Sequence, residues 1–369
     1  MQGYKEGGIL PKWPLASSYT GCMVGYPAVS VLADLVAKDL AEGDMSTWAE
    51  AGARSSVYRE DLAEKFKGTR ELDLITMHPY YKEKYGFVPA DSVPESVSWG
   101  LEMAYEDWCI SQIAKKAGNM ELANEYAKKA EYYKRYLDPE TKMMRPVMGD
   151  GSFRTPFNPR YSSHMKSDYT EGNAFQWSFF APHDMDNFIA AIGGKKELET
   201  RLDTLFTTSS QIDGAEASGD ITGLIGQYAH GNEPSHHMAY LYNWTDSPWK
   251  GQGYLDYIMQ NFYTNEPDGI IGNEDCGQMS AWYVMSALGF YQVSPGIPVY
   301  TLGRPMVNKA SMHVKGGIFE IVATNNNPAN KYVKEVKLNG KVLETPFISH
   351  SDIINGGKLE FIMTDQPVK

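Results

Sequence analysis

Three features of this sequence predict a mainly α fold with a small β appendage at its C-terminal end. Roughly nine segments carry apolar residues at helical spacing, with no strand-like alternation between them, which excludes a parallel α/β sheet. Two of those segments are joined by a link short enough to make an αα-hairpin. From Tyr300 onward the hydrophobic period changes to two.

The elements follow in order. Residues 1–22 read as loop, punctuated by Gly7-Gly8 and by Leu10-Pro11-Lys12-Trp13-Pro14. Tyr26–Leu40 places small and aliphatic residues at helical intervals, with Asp34 and Lys38 as an i,i+4 pair. A further helical segment runs from about Thr47 to Lys67. Ser92-Val93-Pro94-Glu95 carries a capping-box pattern and opens the clearest helix, in which Val97, Leu101, Ala104 and Trp108 trace one face. Gly118 ends it, and Asn119 caps the next, whose stripe is Tyr126, Ala130, Tyr133 and Leu137. Asp138 to Asp168 is irregular, and a loop of that length in a compact domain is usually functional. Helical patterns resume after Pro182 and recur at Lys195–Phe206, Pro234–Trp244, Trp249–Phe262 and Cys276–Leu288, where Gly289 is the stop. In the last part Ile318–Val322 is strand-like, and Asn339-Gly340 between two short apolar runs signals a hairpin.

Helical hairpins of this kind commonly stack as six pairs in an (α/α)6 toroid with its cleft at one end. About three helices of that ring are wanting and the first residues lack a start signal. The predicted architecture is therefore an N-terminally incomplete (α/α)6 toroid over residues 1–299, with residues 300–369 as a β appendage packed on it.

Composition narrows the function. A net charge of -12 over 369 residues, with nothing resembling a basic stripe, argues against nucleic acid. No apolar run reaches membrane length, and the N-terminus is not a signal peptide. Cys22, Cys109 and Cys276 have no metal spacing and support no disulfide framework. The chain is rich in Tyr (24) and Trp (8), whose rings stack on sugars when a face is open, although most such rings in any protein are core.

The organising stretch is Gly231-Asn232-Glu233-Pro234-Ser235-His236-His237. Pro234 fits the first turn of a helix, which leaves Asn232 and Glu233 in the loop ahead of it. Their oxygens suit a hard cation such as Ca2+ better than zinc, and His-Glu-x-x-His is absent. A second polar knot, Gly272-Asn273-Glu274-Asp275-Cys276-Gly277-Gln278, and a third, Tyr169–Trp177, also feed helical runs. Three such loops suggest one cleft lined with acids and aromatics, as a sugar-cleaving site requires.

At these knots the sequence resembles the calcium-dependent, inverting exo-α-mannosidases of glycoside hydrolase family 92. The resembling stretches are Tyr169–Trp177 with Pro182-His183-Asp184, Gly231–His237 and Gly272–Tyr291. Gly25–Asp34, Tyr85–Asp91 and Tyr105-Glu106-Asp107-Trp108 extend the likeness essentially from end to end. The resemblance implies that Glu171 is the general acid and Asp275 the general base of an inverting pair, which stand roughly 6.5–9.5 Å apart so that a water fits between base and sugar. The aromatic neighbours of Glu171 would raise its pKa. Otherwise Glu171 is a carboxylate stabilised by a helix dipole, and Asp275 a helix cap.

The family can place a second acid where this chain has Asn273, which cannot take a proton and would position water. Asn232 and Glu233 match the calcium loop, a backbone carbonyl adding a ligand, and in the family the ion binds O2 and O3 of mannose. His236, His237 and Trp177 are candidate substrate contacts, with core packing as the alternative for each. The implied substrate is terminal α-linked mannose, α-1,2 for preference, on N-glycan or mannan-type glycans. The implied partner is an N-terminal β-sandwich domain preceding this portion, together with an early tryptophan–aspartate pair that has no counterpart here. Export is expected by analogy with the family. The competing readings are a truncated, non-catalytic glycan-binding or assembly-dependent fragment, and another (α/α)6 enzyme such as a polysaccharide lyase. A lyase wants basic residues in its site, and the three knots contain none.

Overall fold

The computed structural model describes residues 1–15, 18–69 and 71–368. It divides into two compact units. The first comprises Met1–Met185, Gln211–Ser218 and Pro295–Ile297; the second comprises Asp186–Ser210, Gly219–Ser294 and Pro298–Lys369. The boundary expected at 299/300 is not where the chain divides. The reason is local: the first strand of the two C-terminal sheets is Phe290–Tyr291, directly behind a helix, so sheet and helices share one unit.

The first unit opens with a short helix, α1 (Gln2–Gly7), and a two-residue strand pair, β1 (Pro14–Leu15) and β2 (Ser18–Tyr19). Helix α2 (Ala28–Ala37) carries the expected Lys38–Asp34 ion pair at 2.6 Å. The segment expected as one helix from Thr47 to Lys67 is two, α3 (Met45–Ser55) and α4 (Glu60–Lys65). Asp44 caps α3, and the side chain of Ser55 bonds back to Ala51 O at its end. Helix α5 (Glu71–Tyr85) is absent from the sequence expectation, because Pro79 lies inside it and it has no apolar stripe.

Helix α6 (Ser96–Lys116) is the axis of this unit and is buried along most of its length. Its neighbours include α2, α3 and α7 (Met120–Lys129), the last giving the predicted αα-hairpin through Gly118-Asn119. Gly100 is required there: a Cβ at this position would lie 2.0 Å from the hydroxyl of Tyr136. A one-turn helix, α8 (Ala174–Trp177), closes the unit's list of helices after the long irregular segment.

The second unit carries α9 (Met185–Ile192) from its first turn onward and α10 (Lys195–Thr207). A strand pair, β3 (Leu224–Ile225) and β4 (Tyr228–Ala229), follows. The run expected as a helix at Pro234–Trp244 is two 3-10 segments, Glu233–Ser235 and Met238–Trp244. Helices α11 (Pro248–Asn261) and α12 (Gln278–Leu288) match expectation apart from the start of α12, and Gly289 ends it with a left-handed φ of 95°.

Strands β5 (Phe290–Tyr291), β6 (Val299–Leu302), β7 (Lys309–Val314), β8 (Gly317–Thr324), β9 (Tyr332–Leu338), β10 (Lys341–Val342), β11 (Phe347–Ser349) and β12 (Gly357–Thr364) complete the unit, with a short helix α13 (His350–Ile354) after β11. They form a three-stranded sheet, β11-β6-β5, and a five-stranded sheet, β10-β9-β12-β8-β7, in which only β12 and β8 run parallel. Asn339 and Gly340, both at positive φ, make the predicted hairpin, with Leu338 opposite Lys341. Phe319, Ile321, Leu359 and Phe361 alternate inward to form its core.

In the first unit, Lys82 of α5 sits between both carboxylate oxygens of Asp107 on α6, at 3.0 Å from each, and neither side chain is more than 4% exposed. Lys82→Met leaves that carboxylate buried without its counter-charge. It should lower unfolding free energy by about 3–5 kcal/mol, as measured by urea denaturation.

Candidate active site

In the first unit, the start of α6 and the loop before Glu171 are built as one piece. The free amides of a helix N-terminus need acceptors. Here Glu95 N–H donates to Ser167 O at 2.7 Å, Val97 N–H to Asp168 O at 3.0 Å, and the Ser98 hydroxyl accepts from Thr170 N–H at 2.8 Å. The capping box expected from Ser92 to Glu95 is therefore not used: Glu95 is itself the residue before the helix, at φ 56°, and its side chain makes no cap. The buried Tyr169 donates its hydroxyl to Met144 O at 2.6 Å. On the far side Asn173 caps α8, reciprocated by Gln176 in a true capping box.

Between these clamps stands Glu171, half-buried and at φ 48°, in the left-handed region that costs a non-glycine residue of order 1–3 kcal/mol. The helix that follows is a single turn, so a macrodipole is a weak reason for a carboxylate here. Trp177 is 2% exposed and donates its indole N–H to Thr170 O at 2.9 Å. It has no face open to a sugar, and it holds the Glu171 loop from beneath. Glu95 was not foreseen as a site residue, because its position before a helix reads as a cap. Burial pushes its carboxyl up to about 7.

In the second unit, buried histidines brace the Asn232-Glu233 loop. His230 bridges two tyrosine hydroxyls, Tyr228 at 2.8 Å and Tyr263 at 2.7 Å, and burial holds its pKa well below the usual imidazole value. His236 lies 3.0 Å through Nε2 from His230 O, which assigns the proton to that nitrogen. Its own carbonyl accepts from the Trp282 indole at 3.0 Å. At 2% exposure His236 is a brace rather than a sugar contact, and His237 is buried as well. Asn232 is buried too, and its side-chain oxygen accepts from Glu233 N–H at 3.0 Å. The two side chains offer oxygen donors only, as Ca2+ prefers, but fewer than its usual six to eight. Among the described residues no group of three or more His, Cys, Asp and Glu converges as a metal site. Backbone oxygens, water or substrate hydroxyls would have to complete the shell.

Two glycines bring the other knot to this loop. A Cβ on Gly272 would lie 2.9 Å from the Cα and carbonyl oxygen of Gly231, and a Cβ on Gly231 would lie 1.9 Å from Thr222 Oγ1. A side chain on either glycine would clash at that crossing, so the loop that carries Asn232-Glu233 and the loop that carries Asn273–Asp275 meet at Gly231 and Gly272. Asp275, Cys276 and Gly277 then run consecutively through positive φ, at 51°, 56° and 104°. This is why α12 starts at Gln278 and not at Cys276. Gly277 stands at the N-cap position of that helix, and the first-turn amide of Ser280 is met by Glu274, which accepts from Ser280 N–H at 3.4 Å, from the Ser280 hydroxyl at 2.8 Å and from Gly277 N–H. Asn273 donates to Asp220 Oδ1 at 3.1 Å, which adds a carboxylate that no sequence motif had marked.

With these loops in place, the comparison with known proteins is decisive. Residues 1–365 match the glycosyl hydrolase family 92 catalytic domain. The chain belongs to that family. Among solved structures it is similar to the family GH92 α-mannosidase BT3965 of Bacteroides thetaiotaomicron, seen with mannoimidazole, at 40% identity and a TM-score of 0.86 over 98% of this chain and 46% of that one. It is also similar to the family GH92 inverting mannosidase BT2199 of the same organism, at 31% identity and a TM-score of 0.85 over 99% of this chain and 49% of that one. An uncharacterized secreted glycosidase of Arthroderma benhamiae is 24% identical over 76% of this chain and 37% of its own length. The family member thus spans about half the length of the solved relatives. No described helix is long and apolar enough to cross a membrane.

Glu95 gives a pH test. Its folded pKa lies above the unfolded value, so the folded state binds more protons between about pH 4.5 and 7, and stability falls as pH rises through that window. Glu95→Gln should flatten the urea stability profile there by up to about 1.4 kcal/mol per pH unit. A profile unchanged by the substitution would mean that Glu95 titrates normally.

Proposed function

We propose that this family 92 chain is the catalytic portion of a Ca2+-dependent, inverting exo-α-mannosidase that removes terminal α-linked mannose, α-1,2 for preference, from N-glycan or mannan-type glycans. The observation that carries the reading is that Glu171 and Asp275, the two motif carboxylates, each stand on left-handed backbone inside a fixed frame, and neither serves as a helix cap. Strain of this kind clusters at functional sites. The printed descriptions of the solved relatives, α-mannosidase and inverting mannosidase, support the same reading.

In this reading Glu171 donates its proton to the glycosidic oxygen as the bond to C1 breaks. Asp275 takes a proton from a water that attacks C1 from the opposite face, so the anomeric configuration inverts. Asn273, held by Asp220, orients that water through its amide, and cannot itself act as base. Asn232 and Glu233 would hold the calcium ion. When bound, the ion would supply positive charge to the hydroxyls of the sugar and favour a distorted mannose ring. The reading includes completion of an (α/α)6 toroid and an N-terminal β-sandwich outside this chain, and an exported protein. The secreted relative and the greater length of the solved relatives support these parts.

The test is release of mannose from α-mannobiose with Ca2+ and then with EDTA. Glu171→Gln should lower turnover of poor leaving groups by about 10²–10⁴-fold while sparing activated aryl mannosides. Asp275→Asn should abolish turnover of both. Full activity in EDTA would remove the calcium part of the proposal, and robust turnover by Asp275→Asn would remove the base.

A further inference from the structure

The second unit holds a cavity of about 590 Å3 away from its polar knots, walled by α11 on one side and by the start of β9 on the other. The volume falls within the roughly 300–1,000 Å3 range of small-molecule sites. The walls are fixed, since the side-chain oxygen of Gln252 on α11 accepts from Val333 N–H on β9 at 2.9 Å. Four aromatic residues line the space: Trp249, Tyr254, Tyr257 and Tyr332. Tyr254 is stacked on Phe206 at 3.9 Å, which fixes its ring in the wall, and Tyr257 is 49% exposed. The lining amides present acceptors. Gln260 Nε2 is engaged by Asp256 at 2.8 Å and Asn261 Nδ2 by Tyr257 O at 2.7 Å, so the amide oxygens of both remain for incoming hydroxyl donors.

Charge selects the ligand further. Lys250 is neutralised by Glu199 and Asp203, and Asp256 by Arg304. Lys331 adds an ammonium donor over the ring of Tyr332, 5.5 Å from its centroid. A neutral, hydroxyl-rich molecule with an apolar ring face satisfies these walls, its hydroxyls meeting the amide oxygens and its ring the aromatic faces.

We propose that this cavity is a second, non-catalytic glycan site that holds an arm of a neutral α-mannooligosaccharide by stacking on Tyr257 and Trp249 and by hydrogen bonds to Gln260 and Asn261. The choice of sugar rests on the proposed mannosidase function; the cavity itself does not. Gly253 makes the site testable. It lies in α11 at an ordinary helical φ, and the nearest atom to an added Cβ is a Tyr332 ring carbon 4.0 Å away. Gly253→Leu therefore fills the cavity while favouring the helix.

The experiment is calorimetric titration of α-linked mannotetraose into the Glu171→Gln protein, alone and combined with Gly253→Leu or Tyr257→Ala. Two sites per chain are expected, one of them weakened at least tenfold by either pocket substitution. Turnover of a small aryl α-mannoside by Gly253→Leu and Tyr257→Ala in the otherwise unaltered protein should match that of the parent. Identical titrations with and without Gly253→Leu would overturn the proposal, as would the absence of a second binding event, the outcome if protein rather than sugar occupies the cavity. Failure of the mannosidase reading shows separately, as no turnover of the aryl mannoside with the pocket titration still present.

Discussion

Left-handed backbone at residues other than glycine is the constraint from which the site follows. At both candidate catalytic acids the backbone lies near φ +50°, and the neighbouring elements hold it there. At Glu171 the surroundings are the first turn of α6, which satisfies its own amides on the 167–170 loop, and the capping box of α8. At Asp275 they are the Gly231–Gly272 crossing on one side and the Glu274 cap of α12 on the other. In both places the residues that fix the loop are ones a reader of motifs would nominate for chemistry. Trp177 and His236 are buried polar-tipped rings whose N–H groups hold backbone carbonyls.

Buried polar groups recur in this protein for the same purpose. His230 between two tyrosines, Lys82 on Asp107 and Tyr169 on Met144 each satisfy a buried donor or acceptor in full view of an otherwise apolar core. Such contacts add little net stability when complete and are expensive when broken. They specify where a loop sits, and the first unit and the second unit each use them next to a candidate site loop.

Much of this was legible in the sequence. The α6–α7 hairpin, the Asp34–Lys38 pair, the stop at Gly289 and the Asn339-Gly340 hairpin follow from local chemistry, and local chemistry decides them in the structure. The failures are tertiary. Helix α5 contains a proline and has no stripe, so only packing against α6 and its ion pair reveals it. The 233–244 run is 3-10 rather than α, since Asn232 and Pro234 fix its entry and its side chains are committed to the histidine brace. Glu95 and Asp220 matter through Ser167 and Asn273, partners far along the chain, and no local spacing announces them. Glu274 and Asp275 could not be told apart as cap and candidate base from their order alone.

The chemistry proposed for Glu171 and Asp275 is single-displacement hydrolysis at C1 by an acid and a base. The measurement that tests it most directly is proton NMR of the sugar first released from an α-mannoside by the protein that carries this chain, recorded before mutarotation. Inversion predicts that β-mannose appears first and the α-anomer only afterwards. Initial release of α-mannose would contradict the account.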